Sequence, residues 1–265
     1  VLYNFGRGMP VNKVEAVRWY LKSAKQGYGN AQYNLGVIFS GAKGGEHLQD
    51  YKEAFRWYQA AATQGIPLAQ NNLGLMYEKG MGLARNPEKA VRWYTRAAEQ
   101  GYAKAQNNLA SMYFHGNGVS RNLETAARWF RRAAEQGDVD AQFSLGCMCQ
   151  KGEGVVHDFK EAAMWYKKAA EHGHSGAQNN LGVMYHTGKG VSQDFKEAIR
   201  WYQKAAEQGH NDAQNNLGVM YQIGEGVSQN YKEAAKWYQK ALESGDGDSK
   251  RNLEILCEES PLFCR

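Results

Sequence analysis

Ala213-Gln-Asn-Asn-Leu-Gly-Val-Met-Tyr221 is the stretch that decides the fold. It recurs unchanged at Ala177–Tyr185, and close variants begin at Ala31, Ala69, Ala105 and Ala141. Ala177, Leu181 and Tyr185 stand at i, i+4 and i+8, an apolar stripe with the period of a helix. Small Gly182 beside that stripe leaves room for a neighbouring helix to come close. Further along, from about Phe195 to Gln208, a second helix is predicted. Its wide apolar face holds Ala198, Trp201, Tyr202, Ala205 and Ala206.

Working outward, the pair of helices repeats. The seven tryptophans, Trp19, Trp57, Trp93, Trp129, Trp165, Trp201 and Trp237, share one phase; the first gap is 38 residues and the others are 36. Leucines from Leu35 to Leu253 and glycines from Gly27 to Gly245 keep the same register. Self-similarity at this period means stacked supersecondary units, each too small to bury its apolar face alone. The unit boundaries have physical causes. Seven residues before each tryptophan stands Asn or Asp, as at Asn86, Asp158 and Asp194, whose side-chain oxygen can cap a helix N-terminus. Glu15, Glu53, Glu161, Glu197 and Glu233 follow three residues after such a cap, completing a capping-box pattern. Pro87 fits a first helical position, and the Gly209 column supplies the stop.

The expected organisation is one all-α solenoid of antiparallel helix pairs over residues 1–265. A partial repeat at 1–30, in which Leu2 and Tyr3 align with Met76 and Tyr77, precedes whole repeats at 31–68, 69–104, 105–140, 141–176, 177–212 and 213–248. A capping helix and tail occupy 249–265. The start has no comparable polar cap, so upstream repeats or self-association at that end are expected.

The run Ala213–Tyr221, then Gly224-x-Gly226-Val227, Glu233-Ala234 and Trp237-Tyr238, resembles the Sel-1-like repeat (SLR) family over essentially the whole chain. The resemblance implies a right-handed superhelix related to tetratricopeptide repeats, with first helices on the concave side. It also implies a role as an adaptor or scaffold that binds a partner protein. The alternative implied by some bacterial members is an immunity protein that occludes a lipase-type toxin. The cysteine-rich subgroup places a disulfide in each repeat; here those positions hold Ala, for example Ala98 and Ala170.

Composition agrees with a binding protein and offers little to catalysis. The net charge of +5, from 32 basic and 27 acidic residues, is too mild for a nucleic-acid signature. No apolar run approaches the roughly 18 residues that span a bilayer. The Gly-x-Gly pairs, such as Gly188 and Gly190, recur every 36 residues between helices, so they read as turns and not as a dinucleotide loop. His172 and His174 are the one close histidine pair, with no carboxylate or Cys at metal-ligand spacing. No nucleophile–base set is evident, so no enzyme, cofactor or metal is expected.

Binding is expected where repeats differ. The third, seventh and tenth positions of the first helices lie opposite the Ala-Leu-Tyr stripe, and they form the predicted floor of the concave face. The partner-binding residues singled out there are Tyr33, Glu78, Phe114, Phe143, Gln150, His186 and Gln222. Phe114 and Phe143 put rings where sister repeats are polar; they are expected to anchor the partner or, alternatively, to fold back onto local loops. Cys257 and Cys264 enclose a short loop. A disulfide between them would staple the C-terminal cap and favour a periplasmic or secreted setting over the cytoplasm, which two free thiols would suit.

Overall fold

A computed structural model describes residues 13–41, 49–243, 245 and 247–260. Leu2, Tyr3 and Cys264 lie outside the described residues. Fourteen helices and no strand are present among them. The chain packs as two compact units, Val1–Gln136 and Gly137–Arg265. The first holds α1 (Lys13–Lys25), α2 (Gly29–Phe39), α3 (Tyr51–Thr63), α4 (Pro67–Lys79), α5 (Pro87–Glu99), α6 (Ala103–His115) and α7 (Leu123–Glu135). The second holds α8 (Val139–Lys151), α9 (Phe159–Glu171), α10 (Ser175–Thr187), α11 (Phe195–Glu207), α12 (Asn211–Ile223), α13 (Tyr231–Glu243) and α14 (Gly247–Glu259). Within each unit consecutive helices pack on one another, and first-type helices also touch: α2 on α4, α4 on α6, and α12 on α14.

Local chemistry sets the helix ends. Asp158 and Asp194 each accept from two backbone N–H groups of the first turn, and Asn86 and Asn122 from one. Gly80, Gly116, Gly152, Gly188 and Gly224 end first helices in the left-handed conformation. The second glycine of the turn serves another purpose: a Cβ on Gly82 would stand 2.7 Å from the Tyr51 backbone at the start of α3.

The core corrects one detail of the sequence pattern. Ala177 and Leu181 are buried as expected, but Met184 completes the stripe while Tyr185 is half-buried. At 100° per residue, i+7 returns to within roughly 20° of the starting face and i+8 overshoots by about 80°. On the second helices Ala198, Trp201, Tyr202, Ala205 and Ala206 are all buried. Across repeats the tyrosines are the deeper column. Tyr94, Tyr166, Tyr202 and Tyr238 are fully enclosed, whereas Trp57, Trp93 and Trp129 are half-buried and Trp19 is 53% exposed. Each enclosed ring contributes roughly 1.5–3 kcal/mol of apolar burial.

Candidate functional site

Counted from the alanine column, as the third, seventh and tenth positions are, the sixth position of most first helices is Gly, and the ring of the second-helix tyrosine lies directly on it. A Cβ on Gly74 or Gly146 would come within 2.7 Å of Tyr94 or Tyr166. That close approach carries the tyrosine hydroxyl across to the tenth position of the same first helix. Tyr94 donates to Glu78 Oε2 at 2.7 Å, Tyr166 to Gln150 Oε1 at 2.6 Å and Tyr238 to Gln222 Oε1 at 2.7 Å. Tyr202 lies 3.5 Å from His186 Nδ1, and Tyr58 lies 3.3 Å from Ser40 Oγ. Burial pushes the Tyr94, Tyr166 and Tyr202 phenols well above the usual range, and the Glu78 carboxylate pushes Tyr94 further. These hydroxyls therefore stay protonated, and those of Tyr94 and Tyr166 donate.

One repeat departs from this scheme. Phe130 takes the tyrosine place, Phe114 takes the acceptor place and Ala110 takes the glycine place. Phe114 is half-buried, edge-on to His115 at 5.1 Å, with the Arg121 guanidinium 6.0 Å from its ring centre. With no hydroxyl to satisfy, the tenth position needs no acceptor.

Third-position residues are also engaged. Tyr33 tilts onto Tyr58 and Phe143 onto Tyr166, each at 6.0 Å, and Phe143 also stacks on His174 at 4.2 Å. At three of the four third positions that hold Asn, the side chain accepts from the next repeat: Asn108 donates to Asn71 at 2.9 Å, Asn216 to Asn179 at 3.1 Å and Asn252 to Asn215 at 2.8 Å. The structure thus places Tyr33, Glu78, Phe114, Phe143, Gln150, His186 and Gln222 on one face of their helices, all half-buried and each with a partner inside its own unit. Tyr33, Glu78 and Phe114 belong to the first unit and the other four to the second. His186 has a further partner: Nε2 sits 2.9 Å from Glu225 Oε2 in the following turn.

The cysteines differ among themselves. Cys257 is disulfide-bonded, and Cys264, the partner that the sequence suggests, lies outside the described residues. Cys147 and Cys149 are free thiols. Cys147 accepts from Tyr166 at 3.3 Å, and burial pushes its thiol up, away from the reactive thiolate. Among the described residues no group of three His, Cys, Asp or Glu side chains is placed to hold a metal ion, and no helix is long and apolar enough to cross a membrane.

One feature escaped the sequence reading. Over α5, in the repeat that holds Leu73, a surface cleft of about 220 Å³ is lined by Tyr77 from α4 and by Lys89, Arg92, Trp93 and Arg96. The signal was present: the third residue of α1, α3, α9, α11 and α13 is Glu, and in α5 it is Lys89.

The Sel1 repeat model matches seven consecutive stretches, 1–28, 29–66, 67–102, 103–138, 139–174, 175–210 and 211–246. From the second onward these begin where α2, α4, α6, α8, α10 and α12 begin, two residues ahead of the alanine column. Among solved structures, c5321, a protective antigen present in uropathogenic Escherichia coli strains and displaying an SLR fold, matches with TM-score 0.89 and 36% identity. The match covers 98% of this chain and 55% of that one, so this chain spans about half the antigen's length. A Sel1 repeat protein from Oxalobacter formigenes matches with TM-score 0.76 and 36% identity, over 84% of this chain and 86% of that one. An immunity protein from Pseudomonas aeruginosa is far more distant, at 19% identity and TM-score 0.48 over 81% of each chain, and its role is not carried across. No curated protein matches significantly. With repeat after repeat matched along its length, the chain belongs to the Sel1 repeat family.

Proposed function

We propose that this chain is a protein-interaction scaffold, without enzymatic activity of its own, that docks a partner on the first-helix face. The observation that carries the reading is the state of the seven stripe residues. Each is held by a bond or ring contact within its own unit, yet each keeps part of its surface open. Side chains ordered in advance lose little conformational entropy when a partner arrives, which favours recognition. Their chemistry is mixed, with aromatic Tyr33, Phe114 and Phe143 beside polar Glu78, Gln150, His186 and Gln222. Such a mixture suits a protein surface better than a small uniform ligand. Binding within the second unit is expected to centre on Phe143, Gln150 and His186, and a Cys257–Cys264 bond to hold the C-terminal cap.

Site-specific photo-crosslinking tests the reading. A benzophenone side chain at Phe114 or Phe143 should form adducts with partner protein, and one at Gln203, exposed on α11, should not. Phe143→Asn, which installs the residue of the sister repeats, should weaken adduct formation and leave the fold intact. Adducts from Gln203 and none from the first-helix positions would overturn the assignment.

A further inference from the structure

Most second-type helices in this chain hold the cation of their second turn; α7, with Thr125 in the glutamate's place, does so through a hydroxyl, Arg128 donating to Thr125 Oγ1 at 3.0 Å. Glu15, Glu53, Glu197 and Glu233 hold Arg18, Arg56, Arg200 and Lys236 one turn on, at 2.8–3.6 Å. In α9, where Met164 replaces that cation, Glu161 instead accepts from Trp165 Nε1 at 3.2 Å. The α5 helix breaks the scheme in the opposite sense. Arg92 is kept, but the glutamate is replaced by Lys89, so the local charge changes by two units in the positive direction.

The result is the cleft over α5. Lys89, Arg92 and Arg96 are exposed around it, and no acidic side chain is in its lining; Glu88 and Glu99, the acids of the same helix, are exposed outside it. The floor is aromatic and braced. Lys89 Nζ lies 5.4 Å from the Tyr77 ring centre, Arg96 Cζ lies 4.5 Å from that of Trp93, and Phe55 meets Tyr77 edge-on at 5.7 Å. Attraction between cation and ring holds both charges at the cleft.

We propose that this cleft accepts an acidic peptide segment of a partner protein, whose carboxylate stands where Glu53 and Glu197 stand in the sister helices. Three cations with no acid among them call for an anion. The apolar floor favours one that arrives on methylene groups. A stacked nucleobase would have to displace the cation that stands over either ring. The cations of this site all come from the second helix α5, and none of its lining is among the seven stripe residues, so it stands or falls separately from the first-helix reading.

Fluorescence anisotropy on the full chain at low ionic strength tests the proposal. The probe is a fluorescein-labelled peptide of alternating glutamate and leucine, and its control carries glutamine in place of glutamate. The glutamate peptide should bind saturably and the control should not. Lys89→Glu restores the sister pattern and should melt at the same temperature while weakening binding about tenfold. Arg92→Gln, at an exposed side chain, should weaken binding likewise. Lys196→Glu makes the same charge change on α11 and should leave binding unaltered. Equal loss in the α5 and α11 charge reversals would show attraction to net charge and overturn the site, as would the absence of saturable binding. Displacement by tripolyphosphate at lower concentration than by unlabelled peptide would assign the cleft to phosphate and overturn the acidic segment.

Discussion

The repeats built on α4–α5 and α6–α7 stand in the same unit and differ at three linked places. In the first, Gly74 lets the Tyr94 ring lie against its helix, and Glu78 receives the hydroxyl. In the second, Ala110, Phe114 and Phe130 take those places, with Ala110 fully buried and Phe130 nearly so. A tyrosine tethered at its hydroxyl cannot slide away from an added methyl; a phenylalanine is free to shift. Acceptor and hydroxyl vanish together because either alone leaves a polar group poorly matched. Divergence between repeats is therefore of two kinds. Changes at these three positions compensate one another, and the chain needs no partner to explain them. Lys89 has no such compensation, since nothing in the cleft replaces the missing carboxylate.

The comparison yields tests of graded size. The largest effect belongs to Gly74→Ala, which forces a methyl against the tethered ring and should cost about 2–3 kcal/mol in urea unfolding. Adding Tyr94→Phe and Glu78→Phe, which copies the neighbouring repeat, should recover much of that loss, so the three changes will not add. Additive losses would break the account of linked positions. Next is Phe130→Tyr, which places a hydroxyl beside Phe114 with no acceptor and should cost about 1–2 kcal/mol. Phe114→Gln in the same chain should restore the midpoint. Tyr94→Phe alone should cost about 1 kcal/mol, because half-buried Glu78 regains water.

The smallest effect is one of pH. His174 accepts from the Ala177 N–H through Nδ1 at 3.1 Å, and burial holds its pKa below the ordinary 6.5, against an opposing pull from Asp140 and with a lesser push from His210. The folded state then binds fewer protons than the unfolded state. Stability from this group is fully present above 6.5 and is lost as pH falls toward the lowered folded value. Thermal melts between pH 7.5 and 5 should fall less in His174→Asn, which caps without titrating.

Much of this was legible in the chain. Caps at Asp158 and Asp194, the glycine stops and the Ala198–Ala206 face all follow from local rules, and repetition averages away single errors. Helical spacing alone also assigns Tyr33, Glu78 and Gln150 to one face of their helices. What escaped notice was each residue's burden. That Phe114 takes the acceptor place while Phe130 takes the tyrosine place is a relation between two helices, sixteen residues apart, which no local spacing reveals. Lys89 went unremarked because an exposed lysine on a helix is ordinary until its Tyr77 and Arg92 neighbours are known.

Sequence by itself determined the repeat, the helix pairs, their ends and the family, because these depend on spacings of one to four residues and on a period that recurs. Only the tertiary structure decided that the tyrosine column, broken by Phe130, lies deeper than the tryptophan column, that tenth-position side chains meet the tyrosine hydroxyls, and that Lys89, Arg92 and Arg96 line one cleft with Trp93 and Tyr77. Those outcomes depend on which side chain reaches across from the neighbouring helix. That distance is fixed by packing at a single glycine and not by any local preference of the chain.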